Sequence, residues 1–270
     1  MASTPRRLVG CRSVRCLVGL IPAAGVGSRL GSQSSKELAP IADLGGESGQ
    51  RRPVVSSLLD AMGAAGIETA YVVLRRGKWD IPDQLAKRGD TPPRIGYVVT
   101  NRTKSIPETL DRARPFVRGC DVVLGFPDVV FHPTTAACEV LAARRRTGAD
   151  VVLALFPSER PDQTDMVEVR GEWVTGFRVK PGRCELEYTW LLGAWGEPFT
   201  EFLGSYLDRT GGVPPPGSSL AELQMSQVLE AALGGGLTIG ACTFPEGRFI
   251  DIGTPEDLAR AQEGDGWPRA

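Results

Sequence analysis

Short apolar segments alternate with amphipathic segments along the first half of the chain. The apolar runs occupy residues 16–21, 70–74, 95–99, 121–124 and 150–155. Runs this continuous are typical of strands buried on both faces, as in a parallel sheet covered by helices. The segments between them have the pattern of crossover helices: residues 53–66, 109–117 and 133–147. The alternation predicts a doubly wound α/β sheet with its ligand site at the carboxyl ends of the strands.

The pattern changes after residue 156 and predicts a β-rich second half. Strands are expected at 166–170, 173–179, 188–195, 237–243 and 247–250, and helices at 197–208 and 219–233. A last helix is indicated by Thr254 as N-cap, Pro255 at the first position and Asp257 as the acid of a capping box. We therefore expect one domain over residues 1–270. It has two halves, 16–156 and 157–263, after a basic and flexible segment at 1–15.

Composition and charge exclude several classes of protein. Hydrophobic residues make up 41% and charged residues 23% of the chain, as in ordinary globular proteins. A net charge of -1 argues against nucleic-acid binding. Because His132 is the single histidine, a serine hydrolase or a zinc enzyme is not expected. No apolar run is long enough for a membrane span. The six scattered cysteines predict reduced thiols that pack in the core of a cytoplasmic protein.

A glycine-rich segment follows the first predicted strand. Residues 20–31 are LIPAAGVGSRLG, and Lys36 comes shortly after them. Glycines at a strand end let backbone N–H groups approach phosphate oxygens, and the cations Arg29 and Lys36 can neutralise the phosphate charge. The segment lacks the lysine of a P-loop and the third glycine of a dinucleotide fingerprint. It therefore predicts a phosphate site of another kind.

Four motifs in this order resemble those of the sugar-1-phosphate nucleotidylyltransferases, the nucleotide-sugar pyrophosphorylases of the nucleotidyltransferase superfamily. The opening motif of that family is similar to residues 23–30 (AAGVGSRL) followed by 36–41 (KELAPI). The family's aspartate segment resembles residues 125–131 (GFPDVVF), and its lysine segment resembles 179–181 (VKP). Residues 249–258 (FIDIGTPEDL) are similar to its last motif. Together the matches span residues 18–261.

The resemblance implies a fold, a reaction and a set of site residues. The implied fold is a Rossmann-like mixed sheet of the GT-A-like nucleotidyltransferase type with a β-rich acceptor subdomain. The implied reaction joins an NTP to a sugar-1-phosphate with Mg²⁺ and releases pyrophosphate. The nucleotide-binding residues would be Ala23, Ala24, Gly25, Gly27, Ser28, Arg29 and Lys36. The acceptor-binding residues would be Lys180, Glu187, Tyr188 and Gly193. The Mg²⁺ ligands would be Asp128 and Asp251, and the catalytic cations Arg29, Lys36 and Lys180.

Departures from the family motifs leave other acceptors open. Val179 stands where the family has a glutamate that contacts the sugar, and the spacing from Arg29 to Lys36 is short. A cytidylyltransferase or related enzyme for a polyol phosphate, a cyclitol phosphate or a phosphonate is therefore the first alternative. A non-catalytic nucleotide-binding homologue is more remote, and a nicotinamide-dependent dehydrogenase more remote still. The expected partners are an NTP and a phosphorylated small molecule. The base, the acceptor and a homo-oligomeric state remain open.

Overall fold

The computed structural model describes residues 16–25, 34–42 and 51–263. Within them the chain forms strands β1 (Leu17–Ala23), β2 (Pro40–Ala42), β3 (Arg51–Pro53), β4 (Thr69–Arg75), β5 (Arg94–Thr100), β6 (Asp121–Gly125), β7 (Val129–His132), β8 (Val151–Pro157), β9 (Asp165–Arg170), β10 (Trp173–Val179), β11 (Tyr188–Trp195), β12 (Ile239–Thr243) and β13 (Arg248–Asp251). The helices are α1 (Val55–Ala64), α2 (Asp80–Leu85), α3 (Ile106–Asp111), α4 (Arg114–Val117), α5 (Ala136–Thr147), α6 (Glu197–Thr210), α7 (Met225–Gly234) and α8 (Pro255–Glu263). Short 3₁₀ turns lie at Lys36–Leu38 and Ala86–Arg88.

Nine of these strands form one mixed sheet in the order β5-β4-β1-β6-β11-β8-β12-β10-β9. The first four are parallel to one another. Strand β11 runs antiparallel between β6 and β8, so the sheet is continuous from the first half of the chain into the second. The pairs β2–β3 and β7–β13 are separate antiparallel ribbons. The predicted α/β fold is confirmed.

Helices cover both faces of the sheet, which explains the continuous apolar runs. In β1, Ile21 and Ala23 pack on one face in a core with α1 and α5. Val18 and Leu20 pack on the other face in a core with α3, α6 and α7. Because successive side chains of a strand point to opposite faces, a strand covered on both sides needs apolar residues at every position. Each of the two faces therefore has its own core.

The structure corrects two helix boundaries and adds elements that the pattern does not show. The helix expected over 109–117 is split into α3 and α4, because Pro115 has no backbone N–H and its ring clashes with the preceding turn. The helix expected over 219–233 begins at Met225, where Gln224 and Gln227 form a capping box. Strand β7, helix α2 and the β2–β3 ribbon were not predicted. Across 16–25, 34–42 and 51–263, no helix is long and apolar enough to span a membrane.

Candidate active site

A cavity of about 990 Å³ lies at the carboxyl ends of β1 and β6. This is the edge of the sheet where α/β folds bind their ligands. Its wall includes six of the predicted site residues, namely Ala24, Gly25, Lys36, Asp128, Lys180 and Asp251. Residues from the glycine-rich segment, the aspartate turn, the lysine segment and the last motif therefore meet at one place.

The two carboxylates are brought together by the β7–β13 ribbon. Asp128 lies in the turn between β6 and β7, and Asp251 is the last residue of β13. Asp251 pairs with Val129 across the ribbon, and the N–H of Ile252 donates a hydrogen bond to the Asp128 carbonyl at 3.0 Å. A small core that includes Val130, Ile250 and Ile252 lies beneath the ribbon. The aspartates are thus on adjacent strands of a packed unit.

Gly125 allows this turn to approach the sheet and α1 closely. A Cβ atom at Gly125 would lie within about 3 Å of the side chains of Leu58 and Leu192. Such contacts are shorter than carbon atoms tolerate. The glycine before the aspartate is therefore required by packing between β6, β11 and α1.

Lys36 reaches across the cavity to the aspartates. It begins a 3₁₀ turn, and its Nζ donates a hydrogen bond to Oδ2 of Asp128. Burial alone would lower the pKa of Lys36, but the carboxylates of Asp128, Glu37 and Asp251 outweigh burial and raise it. The ammonium group therefore stays charged at neutral pH.

The surroundings of Asp251 disfavour its charged form. Its side chain is open to the cavity. The protein around its carboxyl group, together with the neighbouring Asp128, raises the pKa of Asp251 to about 6. Two facing carboxylates that repel each other form a donor set of the kind that Mg²⁺ prefers, completed by phosphate and water oxygens. The residues present fit the ion, although the described residues include no larger cluster of metal-ligating side chains.

A buried ion pair lies behind Lys36. The Nζ of Lys78 donates to Oε1 and Oε2 of Glu37 at 2.7 and 2.9 Å, and to the carbonyl of Ala23 at 3.0 Å. Lys78 is 5% and Glu37 1% exposed. Ala23, predicted to bind nucleotide, is off the cavity wall and instead fixes the end of β1 to this pair.

Lys180 stands at the end of β10 on the opposite wall. Its side chain is exposed, and its backbone has a φ of +43°. Residues other than glycine adopt this left-handed conformation at a cost, and it is often found at functional sites. Nearby, Asp165 accepts a hydrogen bond from Ser226 at 2.6 Å, and Ser226 accepts one from Trp190 at 2.8 Å.

Three predicted acceptor residues are not on the cavity wall. Glu187 is exposed before β11, Tyr188 packs against a core, and Gly193 is buried inside the sheet. Their places on the wall are taken by Thr189, Trp190 and Leu191. Strand β11 also has an irregular register between Trp190 and Leu192, and three consecutive residues, 189–191, line the cavity. Sequence alternation alone does not reveal it.

Other predicted residues lie elsewhere. Gly27, Ser28 and Arg29 are outside the described residues, as is the segment 1–15. His132 is exposed at the end of β7 and is not on the cavity wall. Of the six cysteines, five are described and all five are free thiols. Cys120 is buried, but Cys16 is exposed. The expectation that these thiols pack in the core therefore does not hold for Cys16.

The cavity also contains cations that the motifs do not show. Arg102 and Lys104 follow β5 and lie on the wall beside Ser105. The sequence contains a usable signal for Lys104, because lysine is scarce: the chain has five lysines and many arginines. Lys36, Lys104 and Lys180 line the cavity and Lys78 lies behind it, so only Lys87 is unrelated to the site.

The fold is similar to that of several solved structures of nucleotidyltransferases. One similar solved structure is a UDP-glucose pyrophosphorylase complexed with UDP-glucose, with a TM-score of 0.74 and 17% identity over 92% of this chain and 97% of that one. A UTP-bound UDP-glucose pyrophosphorylase from Acinetobacter baumannii has a TM-score of 0.70 and 16% identity, over 92% of this chain and 93% of that one. A third structure is a Bacillus anthracis protein complexed with sucrose and described as a glucose-1-phosphate thymidylyltransferase. Its TM-score is 0.75 and its identity 17%, over 92% of this chain and 94% of that one.

These similarities confirm the resemblance at the level of the fold, over nearly the whole chain. No family model matches the chain, and a search of curated proteins finds no match by sequence.

Proposed function

We propose that the protein is a nucleotidylyltransferase that joins an NTP to a sugar-1-phosphate and releases an NDP-sugar and pyrophosphate. The observation that carries the proposal is the convergence of Lys36, Asp128, Asp251 and Lys180 on one cavity. They come from four separate segments of the sequence and provide two carboxylates and two cations. The solved structures with the same fold, which include complexes with UTP and UDP-glucose, support the proposal.

The proposed reaction brings two anions together. An oxygen of the acceptor phosphate attacks the α-phosphorus of the NTP. The bond from that phosphorus to the oxygen bridging to the β-phosphate breaks, and pyrophosphate leaves with the electron pair. Neutralisation of charge dominates the barrier of such a reaction. No protein nucleophile and no histidine is required, because the acceptor phosphate is already ionised.

The cations have separate roles in this proposal. Lys36 would contact the α-phosphate, and its raised pKa keeps it charged. Lys180 would hold the acceptor phosphate from the opposite wall, and Gly25 would bring a backbone donor to the triphosphate. Arg29 would stabilise the departing pyrophosphate, as the sequence motif implies.

Asp128 and Asp251 would hold Mg²⁺. When bound, the ion would neutralise phosphate charge. The Asp128 carboxylate also accepts a hydrogen bond from Lys36, so the proposed metal ligand and the proposed phosphate-binding cation are adjacent. We further propose that the enzyme works in the cytoplasm, which the five free thiols support.

A different phosphorylated acceptor remains the second candidate. The acceptor side of the wall carries the Asp165 carboxylate, which can accept hydrogen bonds, and Val179 precedes Lys180. A carboxylate of this kind suits hydroxyl-bearing molecules in general. Polyol and cyclitol phosphates are therefore candidates beside the sugar-1-phosphates.

The deciding experiment measures pyrophosphate release. Five NTPs are combined with a panel of sugar-1-phosphates, polyol phosphates, cyclitol phosphates and phosphonates, with Mg²⁺ present or chelated. We expect one NTP–acceptor pair to give rapid, Mg²⁺-dependent release. Release with a non-sugar acceptor only would favour the second candidate. Nucleotide binding without release from any pair would contradict both.

A further inference from the structure

Lys78 lies outside the cavity wall, and its hydrogen bonds are complete, although its partner Glu37 is on the wall. Its ammonium group has three hydrogens, and it meets three acceptors: the two carboxylate oxygens of Glu37 and the carbonyl of Ala23. Burying two charges is costly, and an apolar pair of similar volume often serves stability equally well. Stability alone therefore does not account for an ion pair at this place.

The geometry connects this pair to Lys36. Glu37 is the residue after Lys36 in the same 3₁₀ turn, so Lys78 ties that turn to the end of β1. On the other side of Lys36, Asp80 accepts hydrogen bonds from the backbone N–H and the hydroxyl of Ser35 at 2.7 and 2.8 Å. The backbone at Lys36 is consequently held at both neighbouring residues by the segment 78–80.

We propose that Lys78 is a positioning residue that acts through Glu37 to hold Lys36 at the two aspartates. The inference rests on the proposed function, because it assigns Lys78 to the nucleotidyl transfer step. Lys78 itself touches no substrate. A cation that neutralises a transition state must be placed accurately, and a displacement of about 1 Å can lower a rate about 100-fold. The buried pair supplies that placement before the substrate binds.

The test replaces both charges at once. In the double variant Glu37→Leu/Lys78→Met, no buried charge is left unpaired, so we expect the melting temperature to stay within a few degrees of the wild type. We expect kcat to fall about 10- to 100-fold because Lys36 is no longer held in place. The KM for the acceptor, which binds at Lys180, should change little. A stable double variant with wild-type kcat would overturn the proposal.

Two other variants complete the series. Lys87→Met removes the one lysine unrelated to the site, and its kcat should equal that of the wild type. Lys78→Arg keeps the charge, but a planar guanidinium group cannot reproduce three bonds from one nitrogen. If the double variant does not fold, Lys78→Arg decides the matter: reduced kcat supports the proposal, and wild-type kcat in a folded protein contradicts it.

A second measurement does not depend on the reaction. The rate of acetylation of each lysine by an amine-reactive ester is measured by peptide mass spectrometry, in the wild type and in the folded variants. We expect the rate at Lys36 to change several-fold in the double variant, while the rate at Lys87 stays constant. If wild-type protein shows no pyrophosphate release, the proposed function fails, and this rate alone tests the placement of Lys36. An unchanged rate at Lys36 contradicts that placement.

Discussion

Asp128, Asp251 and Lys36 share a small part of the cavity. Burial opposes the charge of Lys36, but Asp128 and Asp251 help to raise its pKa, while burial and Asp128 raise the pKa of Asp251. The Lys36 ammonium group donates a hydrogen bond to Asp128. The negative charge of the same Asp128 carboxylate repels that of Asp251. Binding sites often hold like charges close together in this way, because a ligand of opposite charge stabilises them when it binds. The charges of these side chains can be tested directly.

The first prediction concerns the stability of the metal-free protein. The folded pKa of Asp251, about 6, is above its ordinary value of 3.8, so the charged form opposes folding above pH 6. This opposition disappears as the pH falls towards 4. Asp251→Asn should therefore be more stable than the wild type at pH 7.5, by about 1 kcal/mol because solvent screens the open side chain. Denaturant unfolding at pH 7.5 and 4.5 measures the difference, which should be clearly smaller at the lower pH.

The second prediction concerns catalysis. Asp128→Ala should lower the rate of pyrophosphate release at least about 100-fold, because one of the two proposed Mg²⁺ ligands is then missing and the ion neutralises phosphate charge less well. Asp162→Ala is the matched control, since Asp162 is exposed and is not on the wall. Equal rates for the two variants with the correct substrates would show that Asp128 holds no metal.

At the scale of elements, the site depends on short connections more than on long helices. Asp251 ends β13, and α8 begins four residues later with Thr254 before it. Thr254 accepts a hydrogen bond from the N–H of Asp257 at 3.1 Å, so the predicted N-cap is confirmed. Asp257 is also bonded to Arg160 at 2.8 Å, which links α8 to the loop after β8. The cap therefore supports the chain around Asp251.

The third prediction tests this cap. Thr254→Ala should lower the free energy of unfolding by about 1 kcal/mol, because a first-turn N–H loses its acceptor. Thr135 offers a matched control, since it precedes α5 in the N-cap position but makes no capping hydrogen bond from its side chain. Thr135→Ala should cost clearly less in the same urea titration. Equal losses would show that the Thr254 hydroxyl is not an effective cap.

At the scale of the whole molecule, the charges of both the chain and the cavity are close to balanced. The net charge of the chain is -1, and the cavity wall carries four cations, Lys36, Arg102, Lys104 and Lys180, with five carboxylates, Glu37, Asp128, Asp165, Glu222 and Asp251. An NTP with Mg²⁺ uses both kinds of group, because cations contact the phosphate oxygens and carboxylates hold the ion. Binding at this place should stabilise the folded state as a whole.

The fourth prediction follows from that linkage. The cognate NTP with Mg²⁺, at about 100 times its dissociation constant, should add about 2.7 kcal/mol to the free energy of unfolding. Chelation of the ion should remove most of the gain, and Lys36→Met should reduce it. A thermal melt with and without each component measures these effects. If neither chelation of Mg²⁺ nor Lys36→Met reduces the stabilisation, the nucleotide binds outside this cavity.

The sequence by itself determined the α/β class and most of the strands. Strands buried on both faces must be apolar throughout, so they can be recognised in the sequence as continuous apolar runs. It also indicated the Thr254 cap, a local signal that depends only on neighbours in the sequence. The two aspartates were indicated by the resemblance of their motifs to those of a known family.

Only the tertiary structure decided how the walls of the cavity are built. Thr189 and Leu191 of β11 line the cavity whereas Tyr188 and Gly193 do not, and the irregular register of β11 depends on its partner strands. The left-handed backbone of Lys180 and the buried bond from Lys78 to Glu37 likewise arise from contacts between distant segments. A pattern along one chain cannot show which distant charges will meet. Packing determines that, and with it the placement of the groups that we propose carry out the reaction.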